Sequence, residues 1–299
     1  MLSHLETGVW SYLDEPEERR INRLYMPKWV SYPHASEALA RMEHLLRYPA
    51  CGRMPSMLLY GDSDIGKTMI VEKFVRDHPN ICNQFGEVDS RDILRLQMPP
   101  KPSDRRLYAQ IIEGLDGQTP FARRGFDLEI LCLRLLHRKP PRVMIIDEIH
   151  HLLAGTVREQ RQLLNQLKFL SNELRMSVVA VGTTDAMFAM QADPQIASRF
   201  EPFALPRWKE SSGLRDFVVS FGRLLPLHKP SAFGEQDMIR KLMAYSGGLT
   251  GRIAGLMAQA AELAIRQGTE SISLDLLDQA AAAGIFKIPA RKETDEATA

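Results

Sequence analysis

From Gly61 to Thr68 the chain reads Gly-Asp-Ser-Asp-Ile-Gly-Lys-Thr, and few eight-residue stretches restrict a fold as strongly. It fits G-x-x-x-x-G-K-[ST], a pattern that ordinary amino-acid usage supplies in roughly 1% of chains this long. The apolar run Met57-Leu58-Leu59-Tyr60 comes directly before it. An amphipathic stretch from Thr68 to His78, closed by Pro79, comes directly after. In a strand–loop–helix arrangement the loop N–H groups and the positive helix end surround a phosphate. Gly61, Asp62, Ser63, Asp64, Ile65, Gly66, Lys67, Thr68 and Met69 are therefore expected to hold ATP. Lys67 supplies a point charge and Thr68 a ligand for Mg²⁺. The plainer alternative is a glycine turn ahead of a helix with an exposed lysine, and the chance frequency and context weigh against it. Asp64 is the oddity, a carboxylate in an anion-binding loop. It either faces solvent or weakens nucleotide affinity.

A second constellation is Val143-Met144-Ile145-Ile146-Asp147-Glu148, four apolar residues running into two carboxylates. That places Asp147 and Glu148 at the C-terminal edge of a strand, where open α/β sheets bind ligands. Asp147 is expected to hold Mg²⁺ and Glu148 to polarise an attacking water. A third run, Val178 to Val181, ends in Gly182-Thr183-Thr184-Asp185. Thr183 or Thr184 would lie beside the terminal phosphate, and a strand-ending turn fits the same residues. His150 and His151 follow in the order Glu-x-His-His rather than His-Glu-x-x-His, so helix-start histidines are preferred to a metal site.

These apolar runs suit parallel strands buried on both faces, with Ile93 to Met98 and Phe203 to Leu205 as two more. Helical patterns, Ala35 to Leu46 and Val157 to Leu174 among them, alternate with the strands, so the expected class is α/β with a parallel sheet. After Pro206 only helices are expected, over 210–225, 235–245, 250–267 and 274–283, with Ser273 capping the last. The implied organisation is an arm over 1–25, a nucleotide-binding domain over 26–207, an all-helical lid over 208–286 and a tail over 287–299. A length of 299 residues suits two domains. A formal net charge of +1 excludes nucleic-acid binding by bulk charge alone, though not by a local patch. No apolar run reaches the ~18 residues of a membrane span, and the N-terminal residues lack the basic and apolar regions of a secretory leader. Cys51, Cys82 and Cys132 share no metal or redox spacing and read as reduced thiols of a cytoplasmic protein.

Together the phosphate loop, the Asp147-Glu148 pair, Thr183/Thr184 and the helical C-terminal part resemble an AAA+ ATPase. The resemblance gives Ala197-Ser198-Arg199-Phe200 the place of the arginine-finger segment, with Arg199 reaching the nucleotide of the next subunit. Gly247-Gly248-Leu249-Thr250-Gly251-Arg252 then resembles the lid's sensor segment, with Arg252 near the γ-phosphate of its own subunit. More closely, Trp29-Val30 with Tyr32-Pro33-His34, Ala38-Leu39, Arg53-Met54-Pro55, Leu96-Gln97-Met98-Pro99-Pro100 and Asp147-Glu148-Ile149-His150 resemble the TniB/TnsC family of transposition ATPases, TniB above all. The resemblance spans about residues 25 to 285, and Asp64 departs from the family's small residue. It implies Mg²⁺-dependent ATP hydrolysis stimulated by DNA, and a helical filament or ring of identical subunits on double-stranded DNA. It also implies recruitment of a DDE transposase in the manner of the MuB protein, a TniQ-type adaptor as a further partner, and the bacterial cytoplasm as location. Trp29, Val30 and Tyr32 would help build the adenine pocket, with a core anchor as the other reading of Trp29.

Local charge bears on the DNA expectation separately. Residues 91–142 hold 11 Lys/Arg against 6 Asp/Glu. Lys101, Arg105, Arg106, Thr119, Arg123 and Arg124 are the candidate contacts, to phosphate rather than to bases. A solvated basic surface is the alternative. A helicase-loader or initiator-type AAA+ ATPase would share every nucleotide motif, and a nucleotide-gated assembly module would share the fold with hydrolysis incidental.

Overall fold

A computed structural model of the chain describes residues 4–82, 88–90, 92–101, 103–115, 125–191 and 194–283. Two compact units emerge, one of residues 33–206 and one of residues 1–32 with 207–299. The strands are β1 (Ser56–Tyr60), β2 (Ile81–Cys82), β3 (Val88–Ser90), β4 (Ile93–Gln97), β5 (Val143–Asp147), β6 (Ser177–Gly182) and β7 (Phe200–Ala204). Helices α1 (Trp10–Leu13) and α2 (Glu17–Tyr25) come before the sheet unit in sequence. Within it run α3 (Pro33–Arg47), α4 (Lys67–Asp77), α5 (Asp104–Gly114), α6 (Gly125–Arg138), α7 (Val157–Leu174), α8 (Thr184–Gln191) and α9 (Pro194–Ala197). After it come α10 (Ser212–Gly222), α11 (Gln236–Ser246), α12 (Thr250–Arg266) and α13 (Leu274–Ala282).

Five strands form one sheet in the order β4-β5-β6-β1-β7, every neighbouring pair parallel. Strands β5 and β6 are buried along their whole length, which is why they read as unbroken apolar runs. Their side chains share one core with Leu107, Ile111 and Ile112 of α5 and with Leu163, Leu167 and Leu170 of α7. Strand β7 begins three residues earlier than the apolar run at Phe203 suggests, because Pro202 lies within it opposite Leu58. Proline cannot donate to a ladder and is tolerated on an edge strand, which β7 is. Strands β2 and β3 pair separately and antiparallel.

Helices α10 to α13 build the core of the other unit around Leu214, Leu242, Met257 and Leu277. Ser211 and Ser273 cap α10 and α13, their Oγ atoms accepting from the N–H groups of Leu214 at 3.3 Å and Leu276 at 3.2 Å. The expected N-terminal arm is not detached. Helix α2 packs on α12 and gives Ile21 and Leu24 to the same core. Arg20, 6% exposed, donates to the carbonyl of Pro226 at 2.8 Å and is paired with Glu270. The helical unit thus takes in residues 1–32, and the sheet unit starts at Pro33 rather than at residue 26. Among the described residues, no helix is long and apolar enough to cross a membrane.

Candidate functional site

The phosphate loop leaves the C-terminal end of β1 and enters α4 through backbone shapes its residues explain. Gly66, just before α4, has φ 104°, which only glycine adopts without strain. A Cβ on Gly61 would lie 2.7 Å from the carbonyl oxygen of Leu205, so the loop can pass β7 only as glycine. Asp64 has φ 62° and is exposed, while Ile65 is 1% exposed and anchors the loop. Aspartate is one of the few residues that tolerate the left-handed region, so local geometry accounts for Asp64 without any role in binding. Lys67 opens α4, with Nζ donating to the carbonyls of Gly61 at 2.9 Å and Asp62 at 2.7 Å. Burial pulls its pKa below the ordinary lysine value, against the opposing charges of Glu148, Asp147, Asp62 and Asp64.

Asp147 ends β5, two strands from β1, and is 5% exposed. Its Oδ1 accepts from the backbone N–H of Glu148 at 2.9 Å. Its Oδ2 lies 3.5 Å from Thr68 Oγ1 and 3.5 Å from Arg95 Nη2. A hydroxyl and a carboxylate meeting at this edge form the all-oxygen donor set that a hard dication takes. Strand β6 runs between β5 and β1, and Thr183 follows its last residue while Thr184 opens α8. Both threonines therefore stand at the same sheet edge, between the phosphate loop and Asp147. Glu148 has φ 56°, also left-handed, and a 3₁₀ turn over Ile149–Ala154 follows. Its Oε2 lies 3.2 Å from Nε2 of His150. Nδ1 of His151 donates to the carbonyl of Met98 at 2.7 Å, which ties this turn to the segment leading to Lys101.

Residues 20–210, well over half of the chain, match the family described as TniB, bacterial TniB protein. The chain belongs to the TniB family. Its AAA+ fold is shared with solved structures of low sequence identity. The Aeropyrum pernix Orc1 protein, in complex with DNA, superposes with TM-score 0.65 at 19% identity, covering 88% of this chain and 69% of that one. Cdc6p from Pyrobaculum aerophilum gives TM-score 0.68 at 14% identity, covering 90% and 72%. The Thermotoga maritima RuvB Holliday junction branch migration motor gives 0.52 at 14%, covering 83% and 68%. No curated protein matches the sequence. Family and fold are those of a nucleotide-binding ATPase.

The remaining candidates of this TniB-family chain are more dispersed. Arg199 lies in the turn before β7, where its backbone carbonyl accepts from Ser56 N at the start of β1. It is thus at the sheet edge opposite Lys67 and Asp147, with Nη1 donating to Asn172 Oδ1 at 2.7 Å. Burial, then the neighbouring Arg53, pushes its pKa below the ordinary value. Arg252 sits in the first turn of α12 in the helical unit. The preceding Gly248 has φ 75°, and a Cβ there would come within 2.6 Å of the Trp208 carbonyl. Trp208 Nε1 donates to Thr250 Oγ1 at 3.0 Å, fixing the turn that carries Arg252. Of the adenine candidates, Tyr32 packs against Trp208 and Phe217 at 5.1 and 5.7 Å between ring centroids. Val30 lies against the same helical core, and Trp29 belongs to the same unit. Lys101, Arg105 and Arg106 are exposed beyond the end of β4, and Arg106 Nη1 donates to the Lys101 carbonyl at 3.3 Å. Thr119, Arg123 and Arg124 lie outside the described residues.

Sequence reasoning passed over Arg95 and Asn172. A charged residue in the middle of the apolar strand Ile93–Gln97 was the available signal for Arg95, which also lies 3.8 Å from Glu72. Asn172 carried no signal, since only the fold brings it to Arg199.

Proposed function

We propose that this TniB-family chain is an ATP-hydrolysing regulator of DNA transposition that assembles on duplex DNA and recruits a DDE transposase. The observation that carries the nucleotide part is the meeting of Lys67, Thr68, Asp147 and Glu148 at one edge of the sheet. Lys67 exchanges its two backbone carbonyls for phosphate oxygens, and the N-terminus of α4 adds its partial positive charge. Thr68 and Asp147 would hold Mg²⁺, whose charge would offset that of the phosphates. Glu148 accepts a proton from the attacking water, and a threonine after β6 orients the γ-phosphate. Arg199 acts on the neighbour's nucleotide and Arg252 on its own.

Duplex DNA follows the exposed basic group Lys101, Arg105 and Arg106, together with Thr119, Arg123 and Arg124. Phosphate contacts of this kind release counterions, so binding weakens steeply with salt. The test is a salt titration of DNA binding with a non-hydrolysable ATP analogue, comparing wild type with Lys101→Ala and Arg105→Ala/Arg106→Ala. A slope lowered by about 1 for each lost contact, equal on all duplex sequences, supports the reading. Superimposable slopes place the DNA path elsewhere. A second reading, an initiator or helicase-loader ATPase, draws on the likeness to the Orc1 and Cdc6p structures. Co-purification with a DDE transposase, against co-purification with a replicative helicase, separates the two.

A further inference from the structure

Glu148, His150 and His151 converge in a way that their order in sequence does not suggest. One nitrogen of each histidine and one Glu148 carboxylate oxygen lie within 4.8 Å of one another, all half-buried. Glu148, in the left-handed region, stands just ahead of the 3₁₀ turn that carries both histidines. We infer that these three side chains form a site for a borderline transition-metal dication of the Zn²⁺ or Co²⁺ class, and that its occupancy withdraws Glu148 from catalysis.

Three observations support the site. The 3.2 Å between His150 Nε2 and Glu148 Oε2 matches the roughly 3.3 Å between two ligands that each lie ~2.0–2.1 Å from a tetrahedral ion. His151 donates through Nδ1 to the Met98 carbonyl, which leaves a lone pair on Nε2 and fixes the ring, as the remaining N–H of a metal-bound histidine commonly does. His150 Nδ1 is buried with no hydrogen-bond partner among the described residues, so the ring's polar contact runs through Nε2 to Glu148, where the ion would take the place of the shared proton. Two imidazoles and a carboxylate make a His₂Glu set, which suits Zn²⁺ and leaves a fourth position open. Imidazole is a poor ligand for Mg²⁺, so the site is chemically distinct from the Thr68–Asp147 pair. A carboxylate oxygen engaged by a dication is a much weaker base. Bound metal should therefore stop hydrolysis while ATP still binds through Lys67 and the loop. That last step rests on the assignment of Glu148 as the base.

The experiment uses the full, tag-free chain and Co²⁺ as probe, without nucleotide. The expected result is a visible d–d absorption band saturating at one ion per chain, lost in His150→Ala and in His151→Asn. Asparagine keeps a side-chain N–H for the Met98 carbonyl, so His151→Asn isolates the loss of the ligand nitrogen. Zn²⁺ should then suppress hydrolysis in wild type without displacing a fluorescent ATP analogue, and its inhibition midpoint should rise at least ~10-fold in His151→Asn. The absence of a saturable band, a band that survives both substitutions, or a near-ultraviolet thiolate band marking cysteine ligands would overturn the site. A band that forms while Zn²⁺ leaves hydrolysis untouched supports the site and overturns the assignment of Glu148 as the base.

Discussion

The Lys67 ammonium and the Glu148 carboxylate sit in one small region of charge, yet their removal should have opposite signatures. Lys67 is held by two backbone carbonyls and is kept partly out of water, so its charge is available to phosphate at little further desolvation cost. Hydrogen bonds to charged groups contribute about 1.5–3 kcal/mol, so Lys67→Ala should raise the ATP dissociation constant by roughly 10- to 100-fold. Thermal unfolding without nucleotide should barely move, because the burial penalty leaves along with the two bonds. Isothermal titration and a melt on the same sample check both halves. An unchanged dissociation constant would remove Lys67 from the site. Glu148→Gln should leave nucleotide affinity alone and slow single-turnover hydrolysis by about 10²–10⁴-fold, the usual worth of a positioned base. If binding and turnover fall together, Glu148 is holding nucleotide rather than activating water.

At the scale of elements, the docking of α2 onto the helical unit turns on Arg20 and Glu270, the least exposed ion pair among the described residues of that unit. Burial alone would push the Glu270 carboxyl up, but Arg20 and the backbone N–H of His228 hold it below the ordinary glutamate value of about 4.3. A depressed folded-state pKa means the pair's contribution is complete above the unfolded value and fades as pH falls through the folded one. Arg20→Met leaves a half-buried carboxylate with the His228 N–H but without its arginine, and should cost about 1–3 kcal/mol at neutral pH. In that variant only the region of His228 still opposes burial at Glu270, so acidification should lessen the deficit. Urea midpoints from pH 7 to pH 4 test this, and a deficit that widens on acidification would contradict it. This element also shows where the sequence stopped being legible. Strands β1, β5 and β6 and the phosphate loop could be read because each one's chemistry is contiguous: an apolar run, then the functional residues. Helix α2 reads as polar, since only Ile21 and Leu24 mark its buried face and its stabilising charge pair spans 250 residues. The same holds for Arg95 beside Asp147 and for the Glu148–His150–His151 grouping, where Glu148 takes a left-handed backbone that no residue pattern announces.

On the scale of the whole molecule, the position of Arg199 decides how many chains an active site needs. Arg199 precedes β7 and the phosphate loop follows β1, and these two strands run parallel side by side. Five residues of strand at ~3.3 Å each put roughly 16 Å of sheet between that turn and the loop, beyond the reach of an arginine side chain. If Arg199 contributes to hydrolysis, it does so on another subunit's nucleotide. Its surroundings suit an interface: Asn172, which orients it, is three residues along α7 from Phe169, so the two share a face, and Phe169 is 41% exposed. Arg53, hydrogen-bonded to the Ser198 carbonyl at 2.9 Å, adds a second positive charge at this edge. Arg199→Ala should therefore lose turnover, by up to the ~10³–10⁵-fold typical of an arginine finger, with nucleotide affinity retained. Phe169→Glu should lose turnover because assembly fails, which light scattering with ATP and DNA will show. The decisive measurement mixes Arg199→Ala with Glu148→Gln, each inactive alone. An Arg199→Ala subunit keeps its own Glu148, and a Glu148→Gln neighbour brings it an arginine. In a random equal mixture of a homo-oligomer, roughly a quarter of the sites then combine both groups, so about a quarter of wild-type turnover should return. A mixture no more active than its separate parts would show that Arg199 does not act between subunits.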